Sequence, residues 1–196
     1  MRSDEYFDQN LIKVEGYTMI VVKDSNTALE LFLNGELDRV GLTAAAKEQY
    51  EDDPRIHVSP AGTVNTMSIN RINTNNNGIL GNLNFRKALF YGIDRITIAN
   101  MVKGIPANYI LGQKVLGNVE TGEKYRDLPG SQTYLGENYD YNPELAKEYY
   151  DKAMAESGLT ELSLEIIYNE SSSNYKVACE YMEQALPKVF GESFTI

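Results

Sequence analysis

Few side chains in this 196-residue chain have a type and spacing that could carry chemistry. There is one cysteine, Cys179, and one histidine, His57. A lone cysteine forms no internal disulfide, and one cysteine with one histidine falls short of a metal-ligand set. Nucleophilic use of Cys179 needs a base delivered by the fold and a third group to orient it. Its neighbours Val177, Ala178 and Met182 form an apolar helical stripe instead, so Cys179 reads as an inert buried thiol. Glu51, Asp52 and Asp53 crowd one turn closed by Pro54, without the spaced oxygen ligands of a calcium loop, and read as a solubilising patch. GxSxG, P-loop, CxxC and HExxH patterns are all absent from the sequence. An α/β enzyme fragment using Cys179 or a carboxylate pair is the catalytic alternative, and no activating constellation supports it. No metal site and no cofactor is expected. What is left is polar rather than reactive: Asn65, Thr66 and Asn70 lie on and just beyond a short alternating segment. They are either the solvated face of a strand or the lining of a cleft.

Charge narrows the partners. With 18 Lys and Arg against 28 Asp and Glu, the formal charge is −10. That balance disfavours nucleic-acid phosphates and anionic membrane surfaces as ligands. At 42% hydrophobic and 23% charged residues the chain is globular. Its length allows roughly 70% of the unfolded surface to be buried. No apolar run reaches the ~18 residues of a membrane span, and Met1-Arg2-Ser3-Asp4-Glu5 has no apolar stretch behind it of the kind a signal peptide needs.

The elements that would position these residues follow from local signals. Tyr17–Val22 is β-rich, and Asp24 stands where it can cap a helix carrying Ala28, Leu29, Phe32 and Leu33, with Gly35 as its C′ residue. Thr43 caps a second helix running to Tyr50. Ile56–Val58 and Thr63–Asn70 read as β-like, and Asn73–Gly78 as loop. Asn84 is the expected cap of the helix Phe85–Tyr91, and Asp94 that of Ile96–Val102. The stretch from Gly104 to Tyr141 has no sustained period and reads as a long loop. Asn142-Pro143-Glu144 opens a helix that Gly158 ends, with Tyr149 and Tyr150 at core spacing. Leu162–Tyr168 alternates as a strand. A last helix carries Tyr181 into the core and is expected to stop at Pro187, and Phe194–Ile196 starts another strand in which the sequence ends. Strands alternating with helices predict an α/β architecture, a mixed sheet with flanking helices. Ending within a strand suggests a segment of something larger.

Several segments in order resemble the extracellular solute-binding proteins of family 5, the oligopeptide- and dipeptide-binding proteins of ABC transporters. Glu5-Tyr6-Phe7-Asp8 resembles the family's YWD element, and Asp24 to Asp38, with Ala28, Leu33, Gly35, Glu36 and Asp38, its helix-and-turn signature. Asn84-Phe85-Arg86-Lys87-Ala88-Leu89-Phe90-Tyr91-Gly92-Ile93-Asp94-Arg95 is similar to its arginine-to-arginine signature, and Tyr141-Asn142-Pro143-Glu144-Leu145-Ala146-Lys147 to a later helix start.

The resemblance implies one lobe of a type II periplasmic-binding-protein-like fold, with residues 1–196 as a single partial lobe of a two-lobed protein. It implies a peptide ligand, delivery to ABC permease subunits, no catalysis, and a monomer. The location implied is extracellular, on the cell surface or in the periplasm, with membrane association only through a lipid anchor outside these residues. A sugar, a metal chelate or a signalling peptide is the alternative ligand on the same fold. Lys103 follows the Asp94-capped helix where some members place a lysine facing the ligand's terminal carboxylate, which suits an ammonium. Its other reading is an exposed lysine at a helix C-terminus. Asn174 falls where a related member has a histidine near the same ligand end, leaving only hydrogen bonding. Thr66 and Met67 replace consecutive tyrosines, and Ala61 stands at another aromatic position, which implies a roomier pocket. Arg86, Asp94 and Arg95 lie in the best-matched motif and read as capping and pairing residues within the fold.

Overall fold

The computed structural model describes residue 5 and residues 13–59, 62–107, 109, 111–131, 136–170 and 172–196. Tyr6-Phe7-Asp8, Ala61 and Tyr134 lie outside the described residues. Contacts divide the chain into two units, Met1–Ala46 and Lys47–Ile196.

In the first unit the β-rich run from Tyr17 to Val22 forms no strand among the described residues, and Tyr17 and Val21 are more than four-fifths exposed. Alternation marks extended backbone, but a strand also needs a neighbour for its N–H and C=O groups. Helix α1 (Ser25–Leu33) forms as its local signals require. Asp24 accepts from Thr27 N at 2.8 Å, and the helix closes with Glu36 N donating to Leu31 O and Gly35 N to Phe32 O. Gly35 has φ +80°, which this closure demands and glycine adopts without steric cost. Helix α2 (Ala44–Gln49) follows, with Thr43 Oγ1 accepting from Ala46 N.

The second unit holds the core. A single turn, α3 (Asn75–Gly78), has Asn76, Asn77 and Gly78 all in the left-handed region. Asparagine tolerates that region better than other side-chain-bearing residues. The turn is tied to distant chain: Asn76 Nδ2 donates to Ser163 O at 3.0 Å and Asn77 Nδ2 to Ser157 O at 2.9 Å. Helix α4 (Leu83–Gly92) is capped by Asn82, not by Asn84 as expected. Asn82 Oδ1 accepts from Asn84 N and Phe85 N, which frees the Asn84 side chain to join Asn82 in donating to the Glu156 carboxylate. Helix α5 (Arg95–Met101) is capped by Asp94.

Helix α6 (Pro143–Ser157) starts at the Asn142 cap and ends at Gly158, φ +65°. Helix α7 (Ser173–Phe190) does not stop at Pro187 but continues one turn past it. Proline removes one N–H from the helix, yet Leu186 and Phe190 on either side are each 1% exposed, and burying them holds the last turn. Strands β1 (Leu162–Ser163) and β2 (Phe194–Thr195) pair in parallel, Leu162 with Phe194, and α7 is the crossover between them. The α/β architecture is therefore present, with this two-stranded sheet the only one among the described residues. Ile56–Val58 and Thr63–Asn70, read as β-like, form no strand there.

The core gathers one face each of α4, α6 and α7. Phe85, Ala88 and Leu89 of α4 meet Ala146, Tyr150, Ala153 and Met154 of α6, with Leu162 and Phe194 from the sheet. Buried alanines on both α4 and α6 suit close helix packing. Tyr150 stacks on Phe190 at 4.7 Å between centroids, and Phe194 meets both rings edge-on. Tyr149 and Tyr181 pack at the margin of this cluster rather than inside it. The stretch from Gly104 onward is largely loop, as expected, with short 3-10 turns at Tyr125–Asp127 and Glu137–Asp140.

Candidate functional site

The Thr63–Asn70 segment is set by its neighbour. Gly112 is buried against it, and a Cβ at Gly112 would overlap the Gly62 carbonyl, so the backbones approach at a distance only glycine permits. Lys114 Nζ donates to Ser59 Oγ at 2.8 Å just before the segment. Arg126 holds the same loop from the other side, donating to Leu111 O at 2.7 Å and lying over the Tyr109 ring.

On the segment so placed, Asn65 and Thr66 are exposed. The Tyr175 hydroxyl donates to Asn65 Oδ1 at 3.2 Å, joining positions 110 residues apart. Tyr175 and Asn174 lie in the first turn of α7, where Ser172 Oγ accepts from Tyr175 N. Asn174 is half-buried. The structure therefore brings Asn65 to the α7 start that carries Asn174. With its oxygen accepting from Tyr175, the Asn65 side chain keeps its amide nitrogen as a donor. Tyr175 is the residue that sequence reasoning does not single out. Its adjacency to Asn174 is the only local signal, because the partner is remote in sequence.

Lys103 has other surroundings. It sits just past α5 with φ +49°, its carbonyl accepting from Lys47 Nζ at 3.2 Å and its own Nζ 4.0 Å from Glu48 Oε1. Both side chains of that pair are well exposed, so the attraction is weak, about 0–1 kcal/mol. Lys103 is thus able to exchange Glu48 for another carboxylate at small cost.

Asp94 and Arg95 serve the fold, whereas the buried Arg86 Nε has no hydrogen-bond partner among the described residues. Asp94 accepts from Thr97 N and Oγ1. Arg95 donates to the carbonyls of Phe90, Ile93 and Tyr139 and lies over the Phe90 ring, while burial pulls its pKa down. Cys179 is half-buried, and desolvation raises its thiol pKa, opposite to the shift an activated nucleophile needs. Asp53 is held at a pKa of about 2 by its hydrogen bonds from Arg55. An open groove of about 610 Å³ runs between the start of α6 and the far half of α7, lined by Tyr141, Pro143, Lys147, Tyr181, Lys188 and Val189 among others. None of the expected ligand residues lines it. Among the described residues no helix is long and apolar enough to cross a membrane.

Comparison with known proteins agrees with this architecture. The model of the bacterial extracellular solute-binding proteins, family 5 Middle, matches residues 1–192. The oligopeptide-binding protein OppA of Bacillus subtilis is 28% identical over 189 residues, covering 90% of this chain and 32% of that protein. The dipeptide-binding protein DppE of the same organism is 26% identical over 195 residues, 97% of this chain and 33% of that protein. The chain thus spans about a third of the length of the curated relatives it matches. Among solved structures, peptide-bound OppA of Listeria monocytogenes superposes with a TM-score of 0.69 at 21% identity, over 98% of this chain and 37% of that one. The substrate-binding domain of an oligopeptide ABC transporter from Bacillus anthracis gives 0.65 at 20% identity, with 98% and 36% covered. The fold is accordingly that of a type II periplasmic-binding-protein-like lobe.

Proposed function

The chain belongs to the bacterial extracellular solute-binding proteins of family 5, and from that premise we propose that it is part of one lobe of the substrate-binding component of a peptide ABC transporter. Residues 1–196 contribute one side of a cleft, and a second lobe closes over the captured peptide. The observation that carries this reading is the match of the family model to residues 1–192, nearly the whole chain. The oligopeptide- and dipeptide-binding relatives support peptide as the ligand class.

In this reading the Asn65, Thr66 and Asn174 face meets peptide main chain. A peptide offers a regular row of acceptors and donors, and an amide donor positioned like that of Asn65 pairs with one of them. Lys103 takes the terminal carboxylate as a point charge. Closure follows from differential contact: a ligand that touches both lobes binds the closed state more tightly and draws the population there. The chain does no catalysis. Delivery goes, on the outer side of the cell membrane, to the ABC permease subunits within it, from a monomer held at the surface by a lipid anchor beyond these residues. Nucleic acid has no part in it.

The test is thermal unfolding of the full-length protein with pooled oligopeptides, sugars and metal chelates. A ligand at a hundredfold excess over its Kd adds about 2.7 kcal/mol. Stabilisation by peptides alone is the expected result. A shift with sugars or chelates and none with peptides overturns the peptide reading while leaving the fold in place.

A further inference from the structure

Two Asn-Gly pairs occur in the chain, Asn34-Gly35 and Asn77-Gly78. This dipeptide is the one in which an asparagine amide is most readily attacked by the next backbone nitrogen, because glycine offers no Cβ to block the approach. The structure treats the two pairs very differently. Asn34 is an exposed residue at the C-terminal end of α1, a helix with no buried residue, and its side chain forms no hydrogen bond to a described residue. The attacking nitrogen, Gly35 N, is held by one bond, to Phe32 O at 3.0 Å, in a last turn of the kind that frays. Asn77 is exposed too, but its amide nitrogen is held by Ser157 O at 2.9 Å. The residue before it is tied to Ser163 O, and Ile79, two residues on, is 1% exposed in the core. Ring closure requires the glycine nitrogen to swing over the asparagine Cγ, so each turn must first leave its resting shape. At Asn34 that means fraying a helix end closed by two local bonds, Gly35 N to Phe32 O and Glu36 N to Leu31 O. At Asn77 it means breaking two long-range bonds beside an anchored core residue.

We propose that Asn34 is a site of spontaneous deamidation in this protein and that the fold holds Asn77 unreactive. Gly35 N loses its proton to solvent base and bonds to Asn34 Cγ; the Cγ–Nδ2 bond breaks and ammonia leaves. Water then opens the cyclic imide at either carbonyl, giving aspartate or isoaspartate. The product puts a carboxylate at the negative end of the α1 dipole, two residues from the next acid, Glu36. The isoaspartate form also lengthens the backbone within the turn that Glu36 N and Gly35 N close.

The pairs serve as each other's control. The chain is incubated at mildly alkaline pH, native and in concentrated urea, and the conversion at each asparagine is followed by peptide mapping with mass spectrometry. In urea the two rates should agree to within a few-fold. In the native protein Asn34 should convert at least about tenfold faster than Asn77, the protection that two hydrogen bonds near the core provide. Equal native rates, faster conversion at Asn77, or a disparity already as large in urea each overturns the proposal.

Discussion

Gly92 ends α4 against α7, and substituting it probes the packing that holds the core together. A Cβ there would lie 3.2 Å from Phe190 Cζ and 3.4 Å from Leu186 Cδ2, inside the roughly 3.5–4.0 Å at which carbon atoms attract. In an open helix Gly→Ala is worth about 0.5–1 kcal/mol of stability. Overpacking of this kind costs about 1–3 kcal/mol. Gly92→Ala should therefore destabilise the protein by about 1 kcal/mol. Phe190 is 1% exposed and lies between the Tyr150 and Phe194 rings, so Phe190→Ala should cost about 3–5 kcal/mol. In that background the added methyl is relieved of its two Phe190 contacts, and Gly92→Ala should become stabilising by about 0.5 kcal/mol. The cycle then shows a coupling of about 1–3 kcal/mol. Urea denaturation followed by far-UV circular dichroism measures all four proteins, with unchanged m-values as the sign that the unfolded state is common to them. If Gly92→Ala has the same effect in both backgrounds, to within about 0.5 kcal/mol, then α4 does not press on Phe190 and the described core packing is wrong.

Two further outcomes follow from the described contacts. Hydrogen bonds from Asn82 and then Asn84 hold the Glu156 pKa below its usual 4.5. A carboxylate lowered on folding adds stability that is present above its unfolded pKa and is lost as pH falls through the folded value. Glu156→Gln should therefore lower stability at neutral pH and flatten its decline on acidification, read from urea midpoints across an acid pH series; a parallel offset at every pH would exclude Glu156 from the titration. Lys103→Ala should weaken binding of peptides with free carboxyl ends and leave C-terminally amidated ones unchanged in calorimetric titration of the full-length protein, and equal loss for both would remove the carboxylate role.

Much of the local structure was legible because it is decided within a few residues. Asp24, Asp94 and Asn142 each cap the helix that follows them through an oxygen and an N–H three positions away. Gly35 and Gly158 end helices because the left-handed closure excludes most other residues. The family was readable for the same reason, since its signatures are runs of capping and core residues in order. Asn82 rather than Asn84 caps α4, its oxygen accepting from Asn84 N and Phe85 N, while the amides of both residues donate to Glu156, 74 and 72 residues away. Pro187 failed to stop α7 because the burial of Leu186 and Phe190 outweighs one missing hydrogen bond.

What the sequence determined by itself is a set of helices and most of their caps, which depend on spacing along the chain, and an acidic composition. Only the tertiary structure decided which polar residues meet. Asn65 and Tyr175 are joined across 110 residues, Lys103 lies 4.0 Å from Glu48, and of two Asn-Gly pairs one is tied to distant chain and the other only to its own helix end. A hydrogen bond between distant residues forms only after packing has set their separation, and nothing in the local order of side chains encodes that distance.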